Sequence, residues 1–207
     1  KRVSIMTKAI SIIIVNFNGK TFLPACLDAI KNQDFKDIEV VIVDNGSHDG
    51  SCEIVNGVIR DAKLILNGAN IGFPAGMNVG IRNATGKFVF ALNFDCILEP
   101  DFLGKLAHEL DSREDFGSAC GKIYRMSYDF EKSNVIDSTG HLMIDRGPDR
   151  RGWDAEDAGQ FQGAEIVFGA PGNAALYKRE MLDDIAFNGE WYDESFFLNL
   201  EDIDLDW

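Results

Sequence analysis

Four short apolar runs, each continuous and each followed by a segment of helical spacing, leave this chain few folds to choose from. They are ISIIIVNF (10–17), DIEVVIVDNGS (37–47), KLILN (63–67) and GKFVFALN (86–93). A strand with one wet face alternates apolar and polar residues; these runs do not, so both of their faces must be covered, as in a parallel sheet. The intervening segments supply the cover. TFLPACLDAIKNQ (21–33) spaces Phe22, Leu23, Cys26, Leu27 and Ile30 as a helix does. HDGSCEIVNGVIR (48–60) is expected to start a helix capped by Ser47 or Asp49, FPAGMNVGIRNA (73–84) one with Pro74 in its first turn, and PDFLGKLAHELDS (100–112) a fourth. The expectation is an α/β fold: a mostly parallel central sheet with helices on both faces. The second half is less regular, with strands expected over 117–126, 135–145 and 164–178 as a smaller mixed or antiparallel extension. At 45% hydrophobic over 207 residues the chain can bury one core, and no linker divides it, so residues 1–207 read as a single domain.

Ligands of such sheets bind beyond the carboxyl ends of the strands. Asn16, Asp44 and Asp95 stand at those ends. Asp44 precedes Asn45-Gly46 and reads, alone, as the acid that caps a turn. Asp95 follows Asn93 by two, so the two side chains are placed to face one way. A carboxylate beside a core is costly unless donors or a cation satisfy it, and a hard divalent cation, Mg²⁺ or Mn²⁺, is its natural partner. The tail ESFFLNLEDIDLDW (194–207) has an apolar face of Phe196, Phe197, Leu200, Ile203 and Leu205. On a helix Asp202 and Asp206 would repel each other. Asp204 and Asp206 read as a solvated face, whereas Glu201 and Asp202 open the helix directly after an anchored aromatic stretch.

Several functions are disfavoured. The net charge of −14 opposes nucleic acid, and the densest basic run, RGPDRR (146–151), reads as a solvated loop. Cys26, Cys52, Cys96 and Cys120 form no CxxC pair, so neither zinc site nor disulfide framework is indicated, which fits a reducing, cytoplasmic setting. The longest apolar run, AISIIIV (9–15), is too short to cross a membrane, and the first ten residues do not read as a secretory signal. Gly19-Lys20-Thr21 resembles the end of a phosphate loop, but Ile14 stands where its first glycine belongs. Gly72, Gly76 and Gly80 are four apart, open to close helix packing or to a nucleotide-side role, and their spacing is not that of a dinucleotide fingerprint. His48, His108 and His141 read as surface or turn residues.

The ordered set VNFNG (15–19), VDNGSHDGS (43–51), NIGFPAGMNVGI (70–81), ALNFDCILEPDFL (91–103), GAPGNAALYKRE (169–180) and YDESFFLNLEDIDLDW (192–207) resembles family 2 glycosyltransferases of the GT-A fold. Its nearest likeness is to the rhamnosyltransferase-like branch that builds bacterial surface polysaccharides. The resemblance implies that Asp44 holds the nucleobase of a UDP- or dTDP-sugar donor, with Asn16 and Phe17 lining that pocket and Asn70 to Asn78 bordering the nucleotide. Asn93-Phe94-Asp95 would take the place of the DxD motif, with Asp95 the metal ligand for Mg²⁺ or Mn²⁺ and Asn93 a contact to ribose or phosphate. Gly169 to Asn173, with Gly172 and Asn173 at its end, would face the sugar or the acceptor. Asp202 would be the catalytic base and Glu201 the residue that orients a glycan or lipid-linked acceptor.

The implied reaction is an inverting transfer. A cation at Asp95 would offset the charge on the departing nucleoside diphosphate. Asp202 would take the acceptor's proton in concert with attack, an ordinary Asp (pKa about 3.9) being a feeble base. Relatives of this kind continue past the Glu-Asp helix, so the chain is expected to be truncated at its C-terminal end. Membrane association at the inner face of the cytoplasmic membrane would then come from segments outside it. Two rivals are a non-catalytic GT-A domain that binds a sugar nucleotide and a sugar nucleotidyltransferase. The presence of Asp95 and Asp202 disfavours the first, and the lack of a basic glycine-rich loop after the first strand disfavours the second.

Overall fold

Ile10, Ile12 and Ile14 turn to one side of a sheet and Ile13 and Val15 to the other, and all five are buried. This is how a continuous apolar run satisfies the two-residue period of a strand covered on both faces. A computed structural model describes residues 9–145 and 147–207. Its central sheet contains β1 (Ile10–Asn16), β2 (Ile38–Asp44), β3 (Lys63–Leu66), β4 (Phe88–Leu92), β5 (Ser118–Cys120) and, after four strands outside or beyond it in the chain, β10 (Ala174–Lys178). The spatial order is β3-β2-β1-β4-β10-β5. The first four are parallel; β10 runs antiparallel to both β4 and β5.

Helices α1 (Leu23–Lys31), α2 (Ser51–Val58) and α4 (Phe102–Asp111) cover the face of Ile10, Ile12 and Ile14, through Leu23, Leu27, Val55, Leu103 and Leu110. The opposite face takes α3 (Phe73–Arg82), α5 (Arg179–Ile185) and α6 (Glu201–Asp206), through Met77, Ile81, Leu182 and Leu205. Each such side chain, fully buried, contributes about 1.5–3 kcal/mol. On α3 the four-residue glycine spacing serves close approach. A Cβ on Gly76 would lie 2.7 Å from Val15 Cγ1, and one on Gly80 would overlap Ile13 Cγ2.

Beyond the sheet stand two hairpins, β6 (Ile123–Met126) with β7 (Lys132–Ser138) and β8 (His141–Ile144) with β9 (Gly147–Arg150). Several sequence expectations are corrected here. The run 117–126 splits at Gly121-Lys122 into strands of two different sheets, and 135–145 splits where Gly140 takes a φ of +124°. In 164–178 only the last five residues form a strand, because the N–H groups of Ala170 and Gly172 bond to carboxylates of α6 and Pro171 has none to offer. The residue capping α2 is Gly50, at φ +85°, rather than Ser47 or Asp49. Asp49 instead accepts from the N–H and Oγ–H of Ser51. The basic run 146–151, read as a loop, supplies β9, with its first residue outside the described part. The segment read as lacking a secretory signal lies mostly outside the described residues too.

Candidate active site

The pairing of Leu92 with Ala174 at the end of β4 carries on by one more bond, Asn93 N–H to Asn173 O at 3.0 Å. That bond sets the turn at Asn93–Asp95 beside the GAPGN segment. The same segment hangs α6 in place: Gly172 N–H donates to Asp202 Oδ2 at 2.9 Å and Ala170 N–H to Asp206 Oδ1 at 3.3 Å. Small residues let the two segments approach, with glycine required at 169 and close contact at 172. A Cβ on Gly172 would come within 3.1 Å of Asp202 Cβ, and one on Gly169 would overlap the Asp206 carboxylate. The result is a cleft of about 940 Å³ lined by Asn93, Asp95, Gly172, Asn173, Glu201 and Asp202. Its far wall comes from the two hairpins, where Arg125 and Arg150 lie 4.6 and 4.3 Å from the ring centre of Trp153. Both arginines pair with Asp137, at 4.0 and 3.4 Å, so their charge is largely spoken for.

The acids of the cleft differ in their surroundings. Burial pushes the Asp95 carboxyl above its ordinary value and the charge of Asp137 adds to this, while its own backbone N–H opposes. No lysine or arginine pairs with Asp95 among the described residues. Glu201, 7% exposed, is also pushed up, first by burial and then by Asp202. Its Oε2 and the Oδ1 of Asn173 are buried acceptors with no partner among the described residues. Buried acceptors are seldom left so, and in a cleft they suit a ligand's hydroxyl donors.

A model of the family described as Glycosyl transferase family 2 matches residues 11–186. The chain belongs to that family. A PGL/p-HBAD biosynthesis glycosyltransferase of Mycobacterium bovis (strain BCG / Pasteur 1173P2) is 32% identical over 131 residues, 61% of this chain and 51% of that protein. Glycosyltransferase GlyA of Streptococcus pneumoniae serotype 4 (strain ATCC BAA-334 / TIGR4) is 33% identical over 99 residues, 47% of this chain and 14% of that protein. The chain thus spans between 14% and 51% of these relatives' lengths. Among solved structures, S. aureus TarS superposes with a TM-score of 0.66 at 19% identity, over 94% of this chain and 32% of that one. The mannosyltransferase PcManGT from Pyrobaculum calidifontis, in complex with GDP-Man and Mn²⁺, does so at 0.65 and 21%, over 96% and 50%. The fold is GT-A.

Within this family 2 domain, the residues singled out by resemblance divide into two groups. Asn93, Asp95, Gly172, Asn173, Glu201 and Asp202 line one cleft. Asn16, Phe17, Asp44 and Asn70 sit to one side of it, at the ends of β1 and β2 and the loop after β3. Asn16 and Asp44 are register partners; Asn16 is on the strand next to β4 and Asp44 one strand further, about 10 Å across the sheet from β4. Asn16 Nδ2 donates to Asp44 Oδ1 at 2.7 Å, and Asp44 also accepts from Gly46 N–H, Ser47 N–H and Ser47 Oγ–H at 3.1, 2.9 and 2.6 Å. Burial pushes the Asp44 carboxyl up, but Ser47, Asn16 and Cys52 together outweigh it and hold it below the ordinary range. Phe17 is 42% exposed, open to a planar ligand. Asn70 Oδ1 accepts from Gly72 N–H at 3.0 Å. Asn78 differs from all of these. It is fully buried on α3, donating to Tyr192 O and Glu194 Oε1 and accepting from the N–H groups of Trp191 and Tyr192, so its side chain is fully used in holding 191–194.

Two residues correct the sequence reading. His141, taken for a surface or turn residue, is 3% exposed at the start of β8. Asp206, taken for part of a solvated face, is buried against it, with its side chain 3% exposed and Oδ2 2.8 Å from His141 Nδ1. His141 Nε2 faces Asp202 Oδ2 at 3.6 Å. A signal for this was present: two carboxylates four apart on an amphipathic helix call for a cation or donor between them.

Proposed function

We propose that this chain carries the donor and catalytic machinery of an inverting glycosyltransferase. The enzyme moves a sugar from a nucleotide-diphosphate sugar, dTDP-rhamnose or a UDP-hexose, to a hydroxyl of a glycan or lipid-linked acceptor in bacterial surface polysaccharide synthesis. One observation carries the reading. Asp95 and Asp202 share a cleft with two unpartnered buried acceptors, Asn173 Oδ1 and Glu201 Oε2. Support also comes from family membership and from the neighbour described in complex with GDP-Man and Mn²⁺.

The donor set at Asp95 fits a hard divalent cation. It offers a carboxylate oxygen with Asn93 two residues before, near the Asp137 carboxylate and without an ammonium or guanidinium partner of its own among the described residues. No cluster of three metal-ligating side chains exists among the described residues, so Asp95 would hold Mg²⁺ or Mn²⁺ together with the donor's phosphates. Such a cation, when bound, offsets negative charge on the nucleoside diphosphate as it departs. Asn16, Phe17, Asp44 and Asn70 form the ledge for nucleobase and ribose. Asp202 receives the acceptor's proton as its oxygen bonds to the anomeric carbon, and Gly172 N–H fixes the carboxylate that receives it. Glu201 Oε2 accepts a hydrogen bond from an acceptor or sugar hydroxyl. The setting proposed for the reaction is the cytoplasm, at the inner face of the cytoplasmic membrane. Among the described residues no helix is long and apolar enough to cross a membrane.

A panel of nucleotide sugars, each with Mn²⁺ or Mg²⁺, tests this by thermal stabilisation followed by a transfer assay. One nucleotide is expected to raise Tm only with metal. Asp95→Ala should lose that shift, and Asp202→Asn should keep it while transfer disappears. Stabilisation by no member of the panel, or normal turnover by Asp202→Asn, overturns the reading.

A further inference from the structure

Asp202 and Asp206 lie one turn apart on α6, and a single imidazole stands between them. His141 Nδ1 is 2.8 Å from Asp206 Oδ2, and Nε2 is 3.6 Å from the Asp202 oxygen that also accepts from Gly172 N–H. The His141 and Asp206 side chains are 4% and 3% exposed, whereas Asp202 keeps 20%; His141 lines the cleft beside Asp202, and Asp206 lies outside its lining. His141 is fixed by backbone on both sides: its N–H donates to Gly169 O at 2.8 Å and its carbonyl accepts from Phe168 N–H at 2.9 Å. Asp206, when ionised, can only accept, so Nδ1 carries the hydrogen of that bond and Nε2 presents either a lone pair or a proton to Asp202.

We propose that His141 is a positioning residue and proton store for Asp202, oriented by Asp206; this rests on the reading of Asp202 as the base. In the transfer the acceptor's O–H bond breaks as its oxygen bonds to the anomeric carbon, and the bond from that carbon to the diphosphate oxygen breaks with its electron pair. The proton passes to Asp202 Oδ2 and on to His141 Nε2, giving an imidazolium whose Nδ1–H stays on the Asp206 carboxylate. Asp202 returns to its ionised form, and the proton leaves for water when the cleft empties. Nε2 and Oδ2 stand 3.6 Å apart, just beyond hydrogen-bond distance. Such contacts tighten when a substrate fills the site.

The charges around His141 are few. From α6 they are Asp202 and Asp206; from β7 Asp137, and from β9 Asp149 and Arg150, which line the same cleft. Behind Asp206 lie the phenols of Tyr177 and Tyr192 and the thiol of Cys120, all pushed up chiefly by burial and neutral at physiological pH. Burial pushes Asp206 itself up, and the contact with His141 opposes that.

The variant His141→Asn keeps an N–H donor for Asp206 but cannot take up a proton. With the full protein and its donor, kcat is expected to fall about 10- to 100-fold, within the range of general-base effects. The donor KM should stay within about twofold, and the low-pH limb of the kcat profile should move from its wild-type position. Asp206→Asn should move the same limb. Loss of transfer in Asp202→Asn beside a wild-type kcat and pH profile in His141→Asn would overturn the proton store alone. Activity in Asp202→Asn would overturn the base reading and this one with it. A measurement on the unmutated protein needs no variant to fold: long-range ¹H–¹⁵N spectra should show the neutral imidazole of His141 with its hydrogen on Nδ1. A neutral form protonated on Nε2 would refute the arrangement.

Discussion

Asp44→Asn separates the two roles that one carboxylate was given, turn former and nucleobase ligand. In the structure Oδ1 accepts from Asn16 Nδ2 and Ser47 Oγ–H, and Oδ2 from the N–H groups of Gly46 and Ser47. All four partners are donors to a residue 3% exposed. An Asn with its NH₂ at the Oδ2 position opposes two backbone N–H groups; with its NH₂ at the Oδ1 position it opposes Asn16 Nδ2, while the Ser47 hydroxyl can rotate to accept. The charge-assisted bonds are weakened or lost and at least one donor is left facing a donor, at a cost of about 2–4 kcal/mol. For a chain of this size that is a fall in Tm of about 4–16 °C. The pH dependence has a fixed sign. Because the Asp44 carboxyl is held low in the folded state, its contribution is present above the unfolded value, about 3.9, and vanishes as pH falls through the lowered one. The Tm difference between wild type and variant, followed by circular dichroism from pH 7 to pH 2, should therefore shrink in acid. Asp95, Glu201 and Asp206 act in the opposite sense, but they are common to both proteins and cancel in the difference. A variant melting within about 2 °C of wild type at pH 7, or a gap that stays constant into acid, would refute the argument. Nucleotide binding measured well below the variant's Tm then reports the ligand role by itself.

Gly80→Ala places a methyl group where Ile13 Cγ2 stands. Overpacking of about 1–3 kcal/mol should outweigh the ~1 kcal/mol gained in helix propensity, lowering Tm by a few degrees in a thermal melt. Gly172→Ala puts a Cβ 3.1 Å from Asp202 Cβ and moves the carboxylate by a few tenths of an ångström. Since displacement by about 1 Å can cost 10²-fold in rate, kcat should drop about 3- to 10-fold at unchanged donor KM and Tm. Asn78→Leu strips the N–H groups of Trp191 and Tyr192 of their acceptor and should cost about 2–5 kcal/mol in denaturant unfolding. Nucleotide affinity of the folded fraction should be unaltered, in line with its enclosure on α3.

The first half of the fold was legible because its information is local. A buried parallel strand announces itself by an unbroken β-branched run, and ISIIIVNF and FVFALN became β1 and β4 to within a residue or so at each end. The acids at the strand ends were legible for the same reason: topology places carboxyl ends together, whatever the side chains. What failed depended on contacts across long separations. GAPG looked apolar enough for a strand, but its N–H groups are taken by carboxylates some thirty to thirty-six residues ahead. His141 looked like a turn residue because nothing near it in sequence is its partner; Asp206 is 65 residues away. Asn78, one of a set named for the nucleotide, is joined to residues 113 and 114 positions on. Resemblance carries the order of motifs but not which members of a motif face inward.

Those long contacts also explain how a six-residue helix can hold Asp202, the proposed base, in place. α6 is six residues long and four of them are acids. Isolated helices of that length do not persist in water. Glu201 and Asp202 sit where the helix dipole favours negative charge, but Asp206 is at the end where it does not. The helix therefore owes its geometry to its surroundings: Leu205 buried beneath the sheet, Ala170 and Gly172 N–H groups holding two carboxylates, and His141 between them. Apart from Leu205, those supports belong to the 168–173 segment or to β8, the strand hydrogen-bonded to it. The position of Asp202 is consequently a property of the assembled far half of the domain. Disorder introduced at Gly169 or His141 should remove Asp202 from the cleft without touching Asp95 or Asp44.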